Sequence, residues 1–140
     1  MEEALKRIFL DVYKDRWGKM KNMSHEEIVK MWCQLWRSHY CDFYVEEDEE
    51  KTVFIVSYCN SGGRIQKEGK ARGRRTSKPY SWSFNQAGVS YYCCHGGVFN
   101  QMFKELGLDF IKIEYCNQFD DEGNPTGCPC RSIICLLYTS

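Results

Sequence analysis

A chain of 140 residues is one domain, large enough to bury a core and too short for two. Nineteen acidic and nineteen basic residues cancel, so no net field recommends nucleic acid or a membrane surface as a partner. A hydrophobic fraction of 43% with 27% charged residues is ordinary for a soluble globular protein, and no stretch is long and apolar enough to span a membrane.

Residues 2–21 read as a helix, with Leu5, Ile8, Phe9, Val12, Tyr13 and Trp17 recurring at three- and four-residue steps. A second helix is expected from Ser24, where Glu27 completes a capping box, to about His39; its apolar stripe is Ile28, Met31, Trp32, Leu35 and Trp36. Asp42 to Glu47 and Thr52 to Tyr58 are β-branched and aromatic runs joined by the acidic turn Asp48-Glu49-Glu50, the pattern of a hairpin. Residues 64–88 are expected to form a long loop. Its segment from Arg64 to Lys78 carries seven bases and one acid, Glu68. Gly97 to Leu106 reads as a short helix stopped by Gly107, Asp109 to Tyr115 as a strand, and Arg131 onward as another. This order predicts a single α+β domain, helices on a small antiparallel sheet, over residues 1–134.

The nine cysteines set the chemistry to look for. The charged start runs straight into a helix without a signal-peptide core, so the expected compartment is the cytoplasm, where clustered cysteines serve as metal ligands or catalytic thiols more often than as disulfides. The last six residues, Cys135 to Ser140, match the translation of a transposon end used in preparing sequencing libraries. The expectation is that they are an adapter-derived tail on a truncated metagenomic reading frame, and that Cys135 is not the protein's own.

Three motifs concentrate the remaining thiols. In Cys59-Asn60-Ser61-Gly62-Gly63-Arg64 a cysteine at a strand end meets a glycine turn, so that backbone amides and a guanidinium stand ready for a carboxylate, a phosphate or an oxyanion. Tyr91-Tyr92-Cys93-Cys94-His95-Gly96-Gly97 puts thiols and an imidazole just before a helix, where the dipole lowers a thiol pKa; at most one of Cys93 and Cys94 is expected in the site. Gly127-Cys128-Pro129-Cys130-Arg131 offers one more ligand, though its spacing is tighter than a zinc knuckle. Cys33, Cys41 and Cys116 read as core or strand-end cysteines. His39 reads as a helix-end cap, and Trp82, in the alternating Tyr80 to Phe84, as a candidate pocket wall.

These motifs carry a resemblance. Cys59 to Arg64, Ser81-Trp82-Ser83, Gly88 to His95 and a late cysteine, Cys128 or Cys130, resemble an uncharacterised group of bacterial and archaeal proteins over roughly residues 5–134. The chain is also similar, more distantly, to L-2-amino-thiazoline-4-carboxylic acid hydrolase-like proteins, through Lys104 to Leu108 and Tyr115-Cys116. That family's closing segment appears here only as Gly127 to Arg131. The kinship implies ring-opening hydrolysis of a cyclic amidine or related amide.

The sequence reading is therefore a hydrolase-like enzyme acting on a small molecule. Cys59 or Cys93 is thiolate or zinc ligand, and His95 is base or ligand. Ser61, Gly62, Gly63, Arg64 and Trp82 form the substrate cradle, and Cys59, Cys93, His95, Cys128 and Cys130 a possible zinc set. The alternatives are a zinc-stabilised or ligand-sensing module and RNA or phosphate binding through residues 64–78, with zero net charge against the latter. The sequence is silent on oligomeric state.

Overall fold

A computed structural model describes residues 2–136; the expected tail beyond Leu136 and the side chain of Leu5 lie outside the described residues. Helix α1 (Glu2–Gly18) runs through a 3-10 turn at Lys19–Asn22 into α2 (His25–Ser38). Strands β1 (Asp42–Glu47) and β2 (Lys51–Tyr58) form the expected hairpin. A short helix α3 (Gly62–Lys67) follows, then α4 (Cys94–Glu105), β3 (Ile111–Glu114) and β4 (Cys130–Cys135). The strands form one antiparallel sheet in the order β1-β2-β4-β3, so the last strand inserts between the hairpin and β3. The α+β class is as the sequence predicts. No helix among the described residues is long and apolar enough to cross a membrane.

Local chemistry explains the boundaries. Ser24 Oγ accepts the Glu27 amide at 3.1 Å while the Glu27 carboxylate accepts the Ser24 amide at 2.9 Å, which is the capping box expected for α2. Asp48 Oδ1 accepts the amides of Glu50 and Lys51 at 2.7 and 2.9 Å and closes the hairpin turn. Gly107, just past the end of α4, has φ 72°, where a side chain would be strained.

The helices cover one face of the sheet with aromatic rings. Trp17 stacks on Phe103 at 4.7 Å, and Trp32 meets both. Phe54, Ile111 and Ile134 from the sheet join the same cluster. The face of α1 that packs inward is Phe9, Tyr13 and Trp17, while Ile8 and Val12, expected in the buried stripe, stand 58% and 64% exposed. A heptad-like run can be read with more than one face, and the sheet needs only one of them.

One expectation changes. The segment from Arg64 to Gly88 is no open loop: it begins inside α3, and later folds back through an Arg75–Ser90 bridge. Arg75 turns inward and donates to Asp121 Oδ1 at 2.8 Å, Asn117 Oδ1 at 2.6 Å and the Phe119 carbonyl at 3.2 Å, so one base of the expected basic stretch is a structural clamp. Strand β4 runs through Cys135, whose amide donates to the Phe110 carbonyl at 2.8 Å; the Leu136 amide donates to the Glu50 carbonyl.

A second cluster holds the α4 end of the molecule together. Trp82 is 8% exposed, stacks on Tyr80 at 4.5 Å, and packs with Val89, Val98 and Met102. A Cβ on Gly97 would lie 2.3 Å from the Trp82 carbonyl oxygen, so α4 crosses the Trp82 turn only because residue 97 lacks one. Gly97→Ala is expected to lower stability by about 1–3 kcal/mol, read as the midpoint of urea unfolding. Gly18→Ala, whose Cβ meets nothing within 4 Å, is the control and is expected to leave stability unchanged or raise it.

Candidate functional site

A cavity of ≈ 690 Å³ opens where α1, the end of α2, the start of α3 and the start of α4 meet. Its wall is largely aromatic and aliphatic, including Phe9, Trp36, Phe84 and Phe99. Cys59, Cys93 and Cys130 reach it, His39, His95 and Arg16 stand around it, and no acidic side chain among the described residues lines it. Of the thiol motifs, the structure thus brings Cys59, Cys93, His95 and Cys130 to one place.

Cys59 is the focus. It follows the last residue of β2, and the turn into α3 brings the Gly63 amide onto its Sγ at 2.9 Å. Cys41 at the neighbouring strand end, its Sγ also 3.8 Å from the His39 carbonyl, favours the Cys59 thiolate, and this, with Gly63 and Ser61, outweighs desolvation and draws Cys59 well below an ordinary thiol, to about 6. Cys41 is raised by the same pairing. Cys41, expected as a strand-end cysteine, is therefore a partner of the site.

The two glycines act by close approach. A Cβ on Gly62 would fall 2.4 Å from Cys93 Sγ, and one on Gly63 would fall 2.3 Å from Gln118 Oε1 and 3.2 Å from Cys59 Sγ. Ser61 and Gly62 line the cavity as expected of the turn. The Gly63 amide does not wait for a substrate: Cys59 already occupies it.

Cys93 differs from Cys59 in charge state. It lies ahead of α4, as read from the sequence, but burial first, and then the neighbouring Cys59 thiolate, pushes its thiol up to about 12. The helix dipole does not win, because desolvating a thiolate costs more than a helix end returns. Cys94 points the other way, into the second core cluster, and donates to the Ser90 carbonyl at 3.5 Å. His95 is exposed at the cavity rim, edge-on to Phe9 at 5.4 Å and Tyr92 at 5.3 Å.

Three expected roles are corrected by position. Cys128 is bonded to Cys116, so neither is a free thiol. Arg64 faces solvent and pairs with Glu68 at 2.9 Å instead of lining the cavity. Trp82 belongs to the core, and its neighbour Phe84 is the ring that reaches the cavity. Among the described residues no group of three or more His, Cys, Asp and Glu side chains is arranged to hold a metal ion. Cys130 stays with its own loop: its Sγ accepts the Cys116 amide at 3.4 Å, and burial raises its thiol to about 11.

Sequence reasoning missed the residues that hold these parts in place. Gln66 is 1% exposed: its Nε2 donates to Tyr115 Oη at 3.2 Å and to Cys93 Sγ at 3.6 Å, and its Oε1 accepts the Gln118 and Phe119 amides at 2.9 and 3.2 Å. Gln118 Oε1 in turn accepts the Cys59 amide at 3.1 Å, and its Nε2 donates to the Val56 carbonyl at 2.9 Å. Tyr115 donates to Asn117, and burial raises its phenol. Gln66 sat within the apparent basic loop, where nothing marked it as buried.

Three comparisons are silent: no protein-family model, no curated protein and no solved structure matches this chain.

The charge difference among the thiols is measurable. Iodoacetamide is expected to alkylate Cys59 ahead of Cys93 and Cys130. Because the thiolate is the nucleophile, the rate at Cys59 should climb with pH to a plateau, with its midpoint near 6. A midpoint near 9, the ordinary thiol value, would contradict the assignment. Gly63→Ala is expected to cost about 1–3 kcal/mol by displacing Gln118, and to move the midpoint upward by removing the fit of the Gly63 amide to Cys59.

Proposed function

We propose that the chain is a small-molecule hydrolase in which the Cys59 thiolate opens a C–N bond of a cyclic amidine or amide. The observation that carries this is the Cys59 sulfur, facing a largely apolar cavity while held by the Gly63 amide at 2.9 Å. A thiolate in that setting is an activated nucleophile that needs no further base to form. The resemblance of the sequence to the amino-thiazoline hydrolase-like proteins points to the same class of reaction.

In this reading the thiolate adds to the amidine carbon, and the ring C–N bond breaks as the departing nitrogen takes a proton. Water then displaces the sulfur and restores the thiolate. His95 and His39 both line the cavity and are the groups able to carry those protons. The lining favours a neutral or anionic substrate, since Arg16 and the histidines face it and no carboxylate among the described residues does. Its volume and aromatic walls suit one small ring rather than a polymer.

The test is turnover of 2-amino-thiazoline-4-carboxylate and a panel of cyclic amidines and lactams, followed by the appearance of a primary amine. Wild-type protein is expected to open at least one of them. Cys59→Ser should lose about 10²-fold or more while keeping its unfolding midpoint. Full activity in Cys59→Ser, or none in wild-type protein whose Cys59 is shown by alkylation to be intact, would overturn the reading.

A further inference from the structure

The register of the sheet gives Cys59 a second reaction partner. Asp42 pairs with Tyr58 at the open end of the β1–β2 ladder, after a register shift between Asp42 and Phe43, and Cys41 and Cys59 are the next residue outward on each strand. Opposed residues of an antiparallel ladder have Cα atoms about 4.5–5.5 Å apart, within the span of about 4.4–6.8 Å that a disulfide bridges. Cys41 stands close enough to Cys59 to stabilise its thiolate, while its Sγ also donates to the His39 carbonyl at 3.8 Å. Both are free thiols, and Cys59 opens on the cavity.

The other thiols near Cys59 are engaged elsewhere. Cys93 accepts from Gln66 and Cys130 lies against the Cys116 backbone, so neither has the cross-strand position of Cys41. The cavity admits a small polar molecule, and its lining holds no acidic side chain among the described residues to compete for the thiolate's hydrogen-bond donors.

We propose that Cys59 and Cys41 form a peroxide-reducing dithiol, in which Cys59 is oxidised by a small hydroperoxide and Cys41 resolves it as a Cys41–Cys59 disulfide. The Cys59 thiolate attacks the terminal oxygen of ROOH. The O–O bond breaks, Cys59 becomes a sulfenic acid, and the alkoxide takes the Cys41 thiol proton to leave as ROH. The Cys41 thiolate then attacks the Cys59 sulfur, and hydroxide departs, taking a proton from solvent to become water. Two thiols are oxidised by two electrons, and the peroxide is reduced to alcohol and water. A small dithiol from solution restores both cysteines by exchange. The proposal rests on Cys59 being a nucleophilic thiolate, but it requires no hydrolysis.

The test treats the full chain with one equivalent of hydrogen peroxide, caps remaining thiols with N-ethylmaleimide, and maps tryptic peptides without reduction. The expected product joins the peptide 38–51, which carries Cys41, to the peptide 52–64, which carries Cys59. In Cys41→Ser the sulfenic acid has no partner, so dimedone labelling at Cys59 should rise about tenfold over wild type. Wild-type mapping keeps the test valid should that variant fold poorly. A peroxide-treated protein with both thiols free, a bond from Cys59 to Cys93 or Cys130 instead, or equal dimedone labelling in the two proteins would overturn the proposal. Ring opening assayed on the same samples separates the two readings: turnover without the disulfide removes the dithiol alone, and the disulfide without turnover removes the hydrolase alone.

Discussion

The structure depends on two buried amides, Gln66 and Gln118, that hydrogen-bond across elements far apart in the chain. Gln66 belongs to α3, Gln118 follows β3, and Val56 and Cys59 belong to the end of β2. One carboxamide accepts two amides from the 118–119 segment while donating to Tyr115 and Cys93; the other closes the circuit to Cys59. Buried polar groups are costly unless they are paired, and these are paired on both ends. The turn that carries Cys59 is therefore fixed by satisfied hydrogen bonds as well as by packing.

That fixed turn explains why small residues surround it. Gly62 lets Cys93 approach, Gly63 lets Gln118 and Cys59 approach, and Gly97 lets α4 lie on the Trp82 turn. Each is a place where a single methyl group would meet a neighbour well inside contact distance. The aromatic cluster of Trp17, Trp32 and Phe103 supplies the complementary element, an apolar floor that anchors the two N-terminal helices over the sheet. The cavity lies between this floor and the glycine-lined turn.

The cysteines divide by environment. Cys116 and Cys128 are bonded across the loop that precedes β4. Cys93, Cys94 and Cys130 are held neutral, in each case chiefly by burial. Cys59 alone among these is drawn down, because Cys41 and the Gly63 amide stabilise its negative form more than desolvation opposes it. The same side-chain type thus serves as cross-link, filler and nucleophile, and the neighbours decide which.

The sequence alone determined the elements whose signals are local. The capping box at Ser24 and Glu27, the acidic turn at Asp48 and the glycine stop at Gly107 depend on atoms within a few residues, so the helix, hairpin and helix end were readable from the chain. The turn at Cys59 to Gly63 was readable as a tight glycine turn for the same reason, while its Gly63 amide proved to hold Cys59. What tertiary structure decided was which groups meet across the fold. Trp82 went into the core and Cys128 met Cys116, while Cys41, Gln66 and Gln118 converged on Cys59 from distant segments. A residue's type fixes what bonds it is able to make, but burial and sheet register fix its partner, and neither is a property of local spacing.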